Sequence, residues 1–172
     1  MNGSTENGAT ESEGDFVDQA RRGWARARPD LDVSSIEVIG RLSRLGAQIF
    51  ARAERDLAPS GISRAEFDIL CSLARSERPL RASEVTAATM LSGASTTKQS
   101  DRLVKAGLLE RLPWERDGRV VLLQLTDAGR ALVEREFPRF LARDHELLEG
   151  LDDDERELAA RLLRKISARL EP

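Results

Sequence analysis

The chain has 172 residues, of which 40% are apolar and 33% are charged, and its formal net charge is −3 at pH 7. That length can bury the core of one compact domain with extensions, and that composition is typical of a soluble, helix-rich protein. Because no apolar run approaches the ~20 residues that cross a bilayer and no signal-peptide pattern opens the sequence, we expect a cytoplasmic protein with no membrane partner.

The N-terminal part of the sequence predicts a polar tail and then two helices. Residues 1–14 are rich in Gly, Ser, Thr and Glu, and they cannot bury enough apolar surface to become ordered, so we predict disorder there. A helical pattern starts at Asp15 and ends before Pro29, which disfavours helix in the residue that precedes it. Ser34 or Ser35 can cap the next helix, whose apolar residues recur at the spacing of one buried face.

The centre of the sequence predicts three short helices. Ser63 caps the first of them, and Ser83 caps the second, which ends at Met90. Gly93 permits a sharp turn, and the third helix follows over Ser95–Lys105. The last two helices with a tight turn between them have the layout of a helix-turn-helix.

Two strand patterns and a long helix follow. Leu108–Leu112 and Val120–Leu125 are the strand candidates, and the pair Asp117-Gly118 predicts the hairpin tip between them. A long helix starts at Thr126, with a kink or a restart at Pro138. The predicted fold class is mainly α with a small β-hairpin wing, which together with the preceding helices forms a winged helix-turn-helix.

Charge and side-chain chemistry in this central region point to DNA. The window from Arg75 to Arg119 has nine basic and six acidic residues, a net charge of +3, so the rest of the chain carries −6. Hydroxyl and amide groups can bind base edges or phosphates, and cations supply the attraction to the backbone. The alternative is an ordinary helical hairpin with a solvated polar face. The candidate DNA-binding residues are Ser92, Ser95, Thr96, Thr97, Lys98, Gln99, Arg102, Arg116 and Arg119.

From about Ile36 to Leu170 the sequence resembles the MarR family of bacterial transcriptional regulators. The segments that carry the resemblance are Ser92–Lys98, Asp101–Leu103, Ala106–Arg111, Arg116–Arg119 and Leu125–Arg130. The resemblance implies a homodimer whose first and last helices form a shared dimerisation domain. It also implies that the helix Ser95–Lys105 enters the major groove of double-stranded DNA and that Arg119 enters the minor groove.

The wing chemistry agrees with this role. A guanidinium at the tip of a hairpin suits the narrow, electronegative minor groove, and Asp117 can orient Arg119 by a charge-assisted hydrogen bond. A two-fold symmetric dimer predicts a pseudo-palindromic operator, with half-site centres ~10 bp apart. The predicted function is a dimeric, sequence-specific transcriptional repressor that a small molecule releases from its operator.

The predicted domains follow from the same reasoning. They are a disordered tail over 1–14, N-terminal dimerisation helices over 15–60, a winged helix-turn-helix DNA-binding domain over 61–126 and C-terminal dimerisation helices over 127–172.

An extra N-terminal helix with Trp24 resembles the urate-responsive branch of the family. Trp24, Asp68 and Arg111 match three ligand contacts of that branch, whereas Gln99 stands where the branch has an arginine. This departure removes a cation opposite Asp68. Two interpretations remain open: these side chains bind a planar or anionic metabolite, or Trp24 packs the extra helix onto the body while Arg111 binds phosphate or a neighbouring acid.

Other functions have less support in the sequence. Cys71 could be a redox sensor, but it lies four residues after Phe67 on an apolar face without a flanking cation, which favours a buried core thiol. A winged-helix protein–protein interaction module without DNA binding is a further alternative. The sequence has no set of residues typical of a catalytic, cofactor or metal site, so we predict no enzyme activity, no cofactor and no metal.

Overall fold

The computed structural model describes residues 14–114 and 117–170, without the side chains of residues 117–120. Residues 1–13 of the predicted tail and Arg116 lie outside the described residues. The chain forms two compact units, one up to Arg52 and one from Ala53 onwards. None of the described helices has the length and apolarity that a membrane crossing requires.

The first unit contains helix α1 (Phe16–Ala27) and most of helix α2 (Ile36–Leu57). Asp15 caps α1, and the Arg41 guanidinium on α2 binds its carboxylate with an N–O distance of 2.9 Å. Val17 is buried, and Gly40 leaves so little space that a Cβ there would lie 3.0 Å from the Val17 side chain. The two helices therefore pack closely through small and apolar groups.

The second unit contains the helices that follow α2 and one antiparallel sheet. Its helices are α3 (Arg64–Ala74), α4 (Ala82–Thr89), α5 (Gly93–Lys105), α6 (Asp127–Leu147) and α7 (Asp153–Ser167). Its strands are β1 (Leu80–Arg81), β2 (Leu109–Trp114) and β3 (Asp117–Leu125), which form an antiparallel sheet in the order β1-β3-β2. The predicted class, mainly α with a small β-hairpin, is confirmed. We call the β2–β3 hairpin the wing.

One apolar core joins helices α3 to α6 and the sheet. Phe67 on α3 packs against Phe140 on α6, with 5.7 Å between the ring centroids. Burying such side chains supplies most of the stabilisation of a small domain. The buried residues of this core are Leu57, Ile62, Phe67, Ile69, Leu70, Leu73, Val85, Leu103, Leu109, Leu123, Leu125, Leu132 and Val133.

Three turn predictions were wrong. Ser83 lies inside α4, which begins after Arg81, the last residue of a strand that the sequence did not predict. Met90 (φ 58°), and not Gly93, adopts the left-handed conformation that ends α4, and Gly93 is already the first residue of α5. Asp117 pairs with Trp114, so it lies in β3 and not at a hairpin tip.

Two other predictions about helix ends hold. Ser63 caps α3 by accepting a hydrogen bond from the Glu66 N–H at 3.2 Å. α6 starts after Thr126, as the sequence predicts, and continues through Pro138 as one helix.

The start of α6 fits closely against the end of α5. The Thr126 hydroxyl donates to the Gly107 carbonyl at 2.7 Å and accepts from the Gly129 N–H at 3.1 Å. A Cβ on Gly129 would collide with the carbonyl oxygen of Leu108. Only glycine fits this first turn, which explains why the segment Leu125–Arg130 has a glycine there.

We predict that Gly129→Ala lowers the free energy of unfolding by about 1–3 kcal/mol, because a backbone carbonyl must move to accept the methyl group. Urea denaturation at one protein concentration measures the change. Gly93→Ala is the matched control: a Cβ there meets nothing within 4 Å, and a helical alanine should raise stability by up to about 1 kcal/mol. Equal stability of the two variants would contradict the close fit at Gly129.

Candidate nucleic-acid interface

One face of α5 is fixed in the core. Thr96 is fully buried, with an exposed fraction of 0%, and Ser100 and Leu103 are buried beside it on the same face. The Thr86 hydroxyl on α4 donates to the Thr96 hydroxyl at 2.9 Å. The prediction that Thr96 lies on the exposed polar face is therefore wrong, because this side chain joins the two helices of the helix-turn-helix.

The opposite face of α5 is exposed, polar and basic. Thr97, Lys98, Arg102 and Lys105 are exposed there, and none of the large apolar side chains that are exposed in the described part of the chain lies on α5. At the start of the helix, the Ser92 hydroxyl accepts from the Ser95 N–H at 3.2 Å. An exposed row of hydroxyl groups and cations is suited to phosphates and base edges.

An ion pair connects the exposed face of α5 to α3. The Arg102 Nε lies 3.3 Å from the Glu66 Oε1, and the Glu66 side chain is only 4% exposed whereas that of Arg102 is 59% exposed. The other oxygen of Glu66 accepts from the Ser63 N–H at 2.7 Å. Because this carboxylate is buried and already hydrogen-bonded, it attracts the Arg102 guanidinium and restrains its position.

A second ion pair connects α5 to the wing. Arg111 on β2 binds Asp101 on α5, and both side chains are partly exposed. Of the two interpretations of Arg111, this contact matches the one in which it binds a neighbouring acid. The pair orients the base of the wing relative to α5.

Of the four predicted ligand residues, Asp68, Gln99 and Arg111 lie in the second unit and Trp24 lies in the first. Asp68 binds Arg64 on its own helix at 2.8 Å, which supplies the cation that Gln99 does not. The Gln99 Oε1 is buried and has no hydrogen-bond partner among the described residues. Trp24 is 55% exposed on α1, in the first unit.

Near the outer end of the wing, Trp114 contacts a residue that sequence reasoning missed. The Arg81 guanidinium carbon lies 4.2 Å from the centroid of the Trp114 ring. The wing residues Arg116, Arg119 and Asp117 stay predictions: Arg116 lies outside the described residues, and so do the side chains of Asp117 and Arg119.

Two of the residues that sequence reasoning missed, Glu66 and Thr86, carried only partial signals. Ser63 and Glu66 have the spacing of a capping box, which predicts the helix start but not the contact with Arg102. Thr86 lies ten residues before Thr96, and nothing local shows that the two hydroxyls meet.

Cys71 is a half-buried thiol at the edge of the core. Burial raises its pKa to about 11 from an ordinary value of 9.0, and the nearby Asp68 carboxylate acts in the same direction. A thiol with such a pKa is protonated at neutral pH and is a poor nucleophile. The described residues also include no group of three or more His, Cys, Asp or Glu side chains placed to hold a metal ion.

Comparison with known proteins identifies the family. Residues 62–121 match the model of the MarR family. PecS of Dickeya dadantii, an HTH-type transcriptional regulator, is 35% identical over 149 residues, which cover 86% of this chain and 90% of PecS. The multiple antibiotic resistance protein MarR of Escherichia coli is 34% identical over 114 residues, 64% of this chain and 76% of that protein.

A solved structure agrees with these relatives. BpsR of Bordetella bronchiseptica, whose DNA binding is regulated by 6-hydroxynicotinic acid, superimposes with a TM-score of 0.70 at 30% identity, over 80% of this chain and 97% of BpsR. The winged helix with its small sheet is thus the fold of a class of transcriptional regulators. The chain belongs to the MarR family.

We predict that Cys71 in the folded protein reacts with iodoacetamide on the order of 100-fold more slowly at pH 8 than in the urea-unfolded chain, because little thiolate is present. The rate should rise towards pH 11, the region of the raised pKa. Mass spectrometry of the single cysteine measures it. Fast alkylation of the folded protein at pH 8 would instead support a redox-sensing thiol.

Proposed function

We propose that this protein is a dimeric, sequence-specific DNA-binding regulator that represses transcription. The observation that carries the proposal is the exposed basic face of α5, which the buried contacts of Thr96 and Leu103 hold away from the core. A helix with such a face fits the major groove of B-DNA, where hydroxyl and amide groups can distinguish base pairs.

The wing supplies the second contact in this proposal. β2 and β3 pair as an antiparallel hairpin next to α5, and Arg116 and Arg119 lie at or near its end in the sequence. A cation there fits the minor groove beside the major-groove site. The alternative of a protein–protein interaction module has less support, because α5 has no exposed large apolar side chain among the described residues.

Dimerisation is supported by the C-terminal helices. α7 has no buried residue, and its Leu158 and Leu162 side chains, one turn apart, are 44% and 48% exposed. An exposed apolar stripe on a helix marks an interface. Two copies joined there present two α5 helices to one pseudo-palindromic operator, and a dimer on an operator that overlaps a promoter blocks access of the polymerase.

The proposal also includes a small-molecule effector that releases the protein from DNA. Its support is the relative BpsR, which responds to 6-hydroxynicotinic acid, together with the partly exposed Arg111 guanidinium. A planar molecule that carries a negative charge matches this group. It would release DNA by competing for Arg111 with Asp101, which belongs to α5.

We predict that Lys98→Ala and Arg119→Ala each weaken operator binding by roughly 5- to 20-fold and lower the slope of log K against log salt by about one, because each removes a cation from the phosphate or groove surface. The operator is first selected from a random DNA pool with the wild-type protein, and mobility-shift titrations at several KCl concentrations then compare the variants. The same assay with added 6-hydroxynicotinic acid or urate tests the effector.

Arg164→Ala is the matched control, since Arg164 is an exposed basic residue in the last turn of α7 and lies off the stripe of Leu158 and Leu162. It should bind the operator as the wild type does. The proposed function would be refuted if no sequence were enriched from the pool, or if Lys98→Ala bound like Arg164→Ala.

We predict that the double variant Leu158→Glu/Leu162→Glu is monomeric, because carboxylates on the exposed stripe cannot be buried without a large desolvation penalty. Sedimentation velocity measures the oligomeric state. Arg161→Glu places a carboxylate on the same helix at an exposed polar position, and this control should remain a dimer. A dimeric double variant would place the interface elsewhere.

A further inference from the structure

Arg81 links β1 and α4 of the second unit to the wing. It is the last residue of β1 and the residue that precedes α4. Its guanidinium carbon lies 4.2 Å from the centroid of the Trp114 ring, near the far end of β2. A cation over the face of an indole is attracted by the negative charge density of the ring, and tryptophan is the strongest partner for such a contact.

Trp114 lies at the point where the wing departs from regular pairing. Pro113 pairs with Val121, but the next residue, Trp114, pairs with Asp117, so the register shifts between these two positions. Irregularities of this kind bend a strand and increase its twist. The extra residues lie in β3, at 118–120, directly after the partner of Trp114, so the course of their backbone depends on how Trp114 is held.

The backbone of Arg81 is anchored on the body side of this contact. Its N–H donates to the Glu84 Oε2 at 2.8 Å, and Arg81 pairs with Leu122 of β3. A side-chain hydrogen bond from Arg78 lowers the pKa of Glu84 to about 2, so this carboxylate is ionised at neutral pH. The Arg81 side chain therefore reaches the outer end of the wing from a fixed base.

Beside the stacked pair, the surface has an open cleft of about 540 Å³. A space of this size allows the Trp114 ring to change its position if its cation is removed. The cleft is lined by Arg78, Pro79, Arg81, Glu84, Trp114 and Leu122.

We propose that Arg81 is a positioning residue for the wing: by stacking on Trp114, where the pairing of β2 with β3 shifts, it fixes the outer end of the wing and so places Arg119 at the minor groove. This inference rests on the proposed DNA binding. Arg81 contributes to affinity through Arg119, and not through a phosphate contact of its own.

A double-mutant cycle with Arg119 tests this directly. Arg81→Met retains the aliphatic stem but removes the cation. We expect it to weaken operator binding about 3- to 10-fold in the wild-type background, the range of one cation–π contact. In the Arg119→Ala background, it should weaken binding less than about 2-fold, because the contact that it positions is already absent. Arg81→Lys should restore most of the affinity.

Two controls separate positioning from charge and from folding. Arg75→Met removes an exposed cation from the connection between α3 and β1, and its effect should add to that of Arg119→Ala. Trp114→Leu removes the other partner of the stack and should reproduce Arg81→Met. In a Trp24→Phe background, Trp114 is the only tryptophan of the chain, so its emission and its quenching by iodide report the stack in each variant that retains Trp114.

The outcomes are distinct. If Arg81→Met changes the Trp114 emission but leaves DNA affinity unchanged, or if its loss of affinity is equally large with and without Arg119, the positioning role is overturned. An equal loss of affinity with and without Arg119 would make Arg81 a direct DNA contact. If the wild-type protein binds no DNA sequence, the proposed function fails, and the emission still shows whether the stack exists.

Discussion

The hydrogen bond between the Thr86 and Thr96 hydroxyls is the contact on which the proposed DNA-binding surface depends. Both groups lie where α4 crosses α5, and Thr96 is fully buried. A buried hydroxyl without a partner costs about 1–3 kcal/mol, so a shift of one helix along the other is opposed by that penalty as well as by the packing of Leu103. The exposed face of α5 is thus held in one orientation, which sequence-specific contacts require because base edges must be met within a fraction of an ångström.

Ion pairs next to α5 also affect how this surface binds anions. Two arginines at this surface each have a carboxylate partner in the protein: Arg102 binds the buried Glu66, and Arg111 binds the partly exposed Asp101. A phosphate or an anionic effector that approaches either guanidinium must compete with its partner. The competition lowers affinity for any polyanion but affects correctly placed ligands least, which favours specificity over strength. The chain has a basic centre although its net charge is −3, and this distribution likewise favours specific contacts over general attraction to polyanions.

Local patterns in the sequence predicted the helices and the wing, because caps and periodicity act over a few residues. Ser63 and Thr126 mark helix starts that the structure reproduces. Contacts between distant residues could not be predicted this way. β1 has only two residues and exists because it pairs with β3, and the burial of Thr96 depends on a neighbouring helix.

The predicted ligand site shows the same limit of sequence reasoning. The carboxylate of Asp68 pairs with Arg64, and the guanidinium of Arg111 pairs with Asp101. A match of sequence positions does not predict these partners. The stack of Arg81 on Trp114 joins two residues from different parts of the sheet, and no spacing in the sequence indicates it. Side-chain chemistry therefore predicted which groups are present, whereas their pairing required the fold.

Dimethyl sulfate footprinting of the selected operator tests the central claim most directly, because the reagent methylates guanine N7 in the major groove and adenine N3 in the minor groove. The account predicts two patches of guanine N7 protection ~10 bp apart from the two α5 helices, with adenine N3 protection beside each patch that disappears in Arg119→Ala. A footprint without guanine N7 protection, or protection that Lys98→Ala and Arg119→Ala leave unchanged, would contradict the assignment of α5 and the wing as the DNA-reading elements.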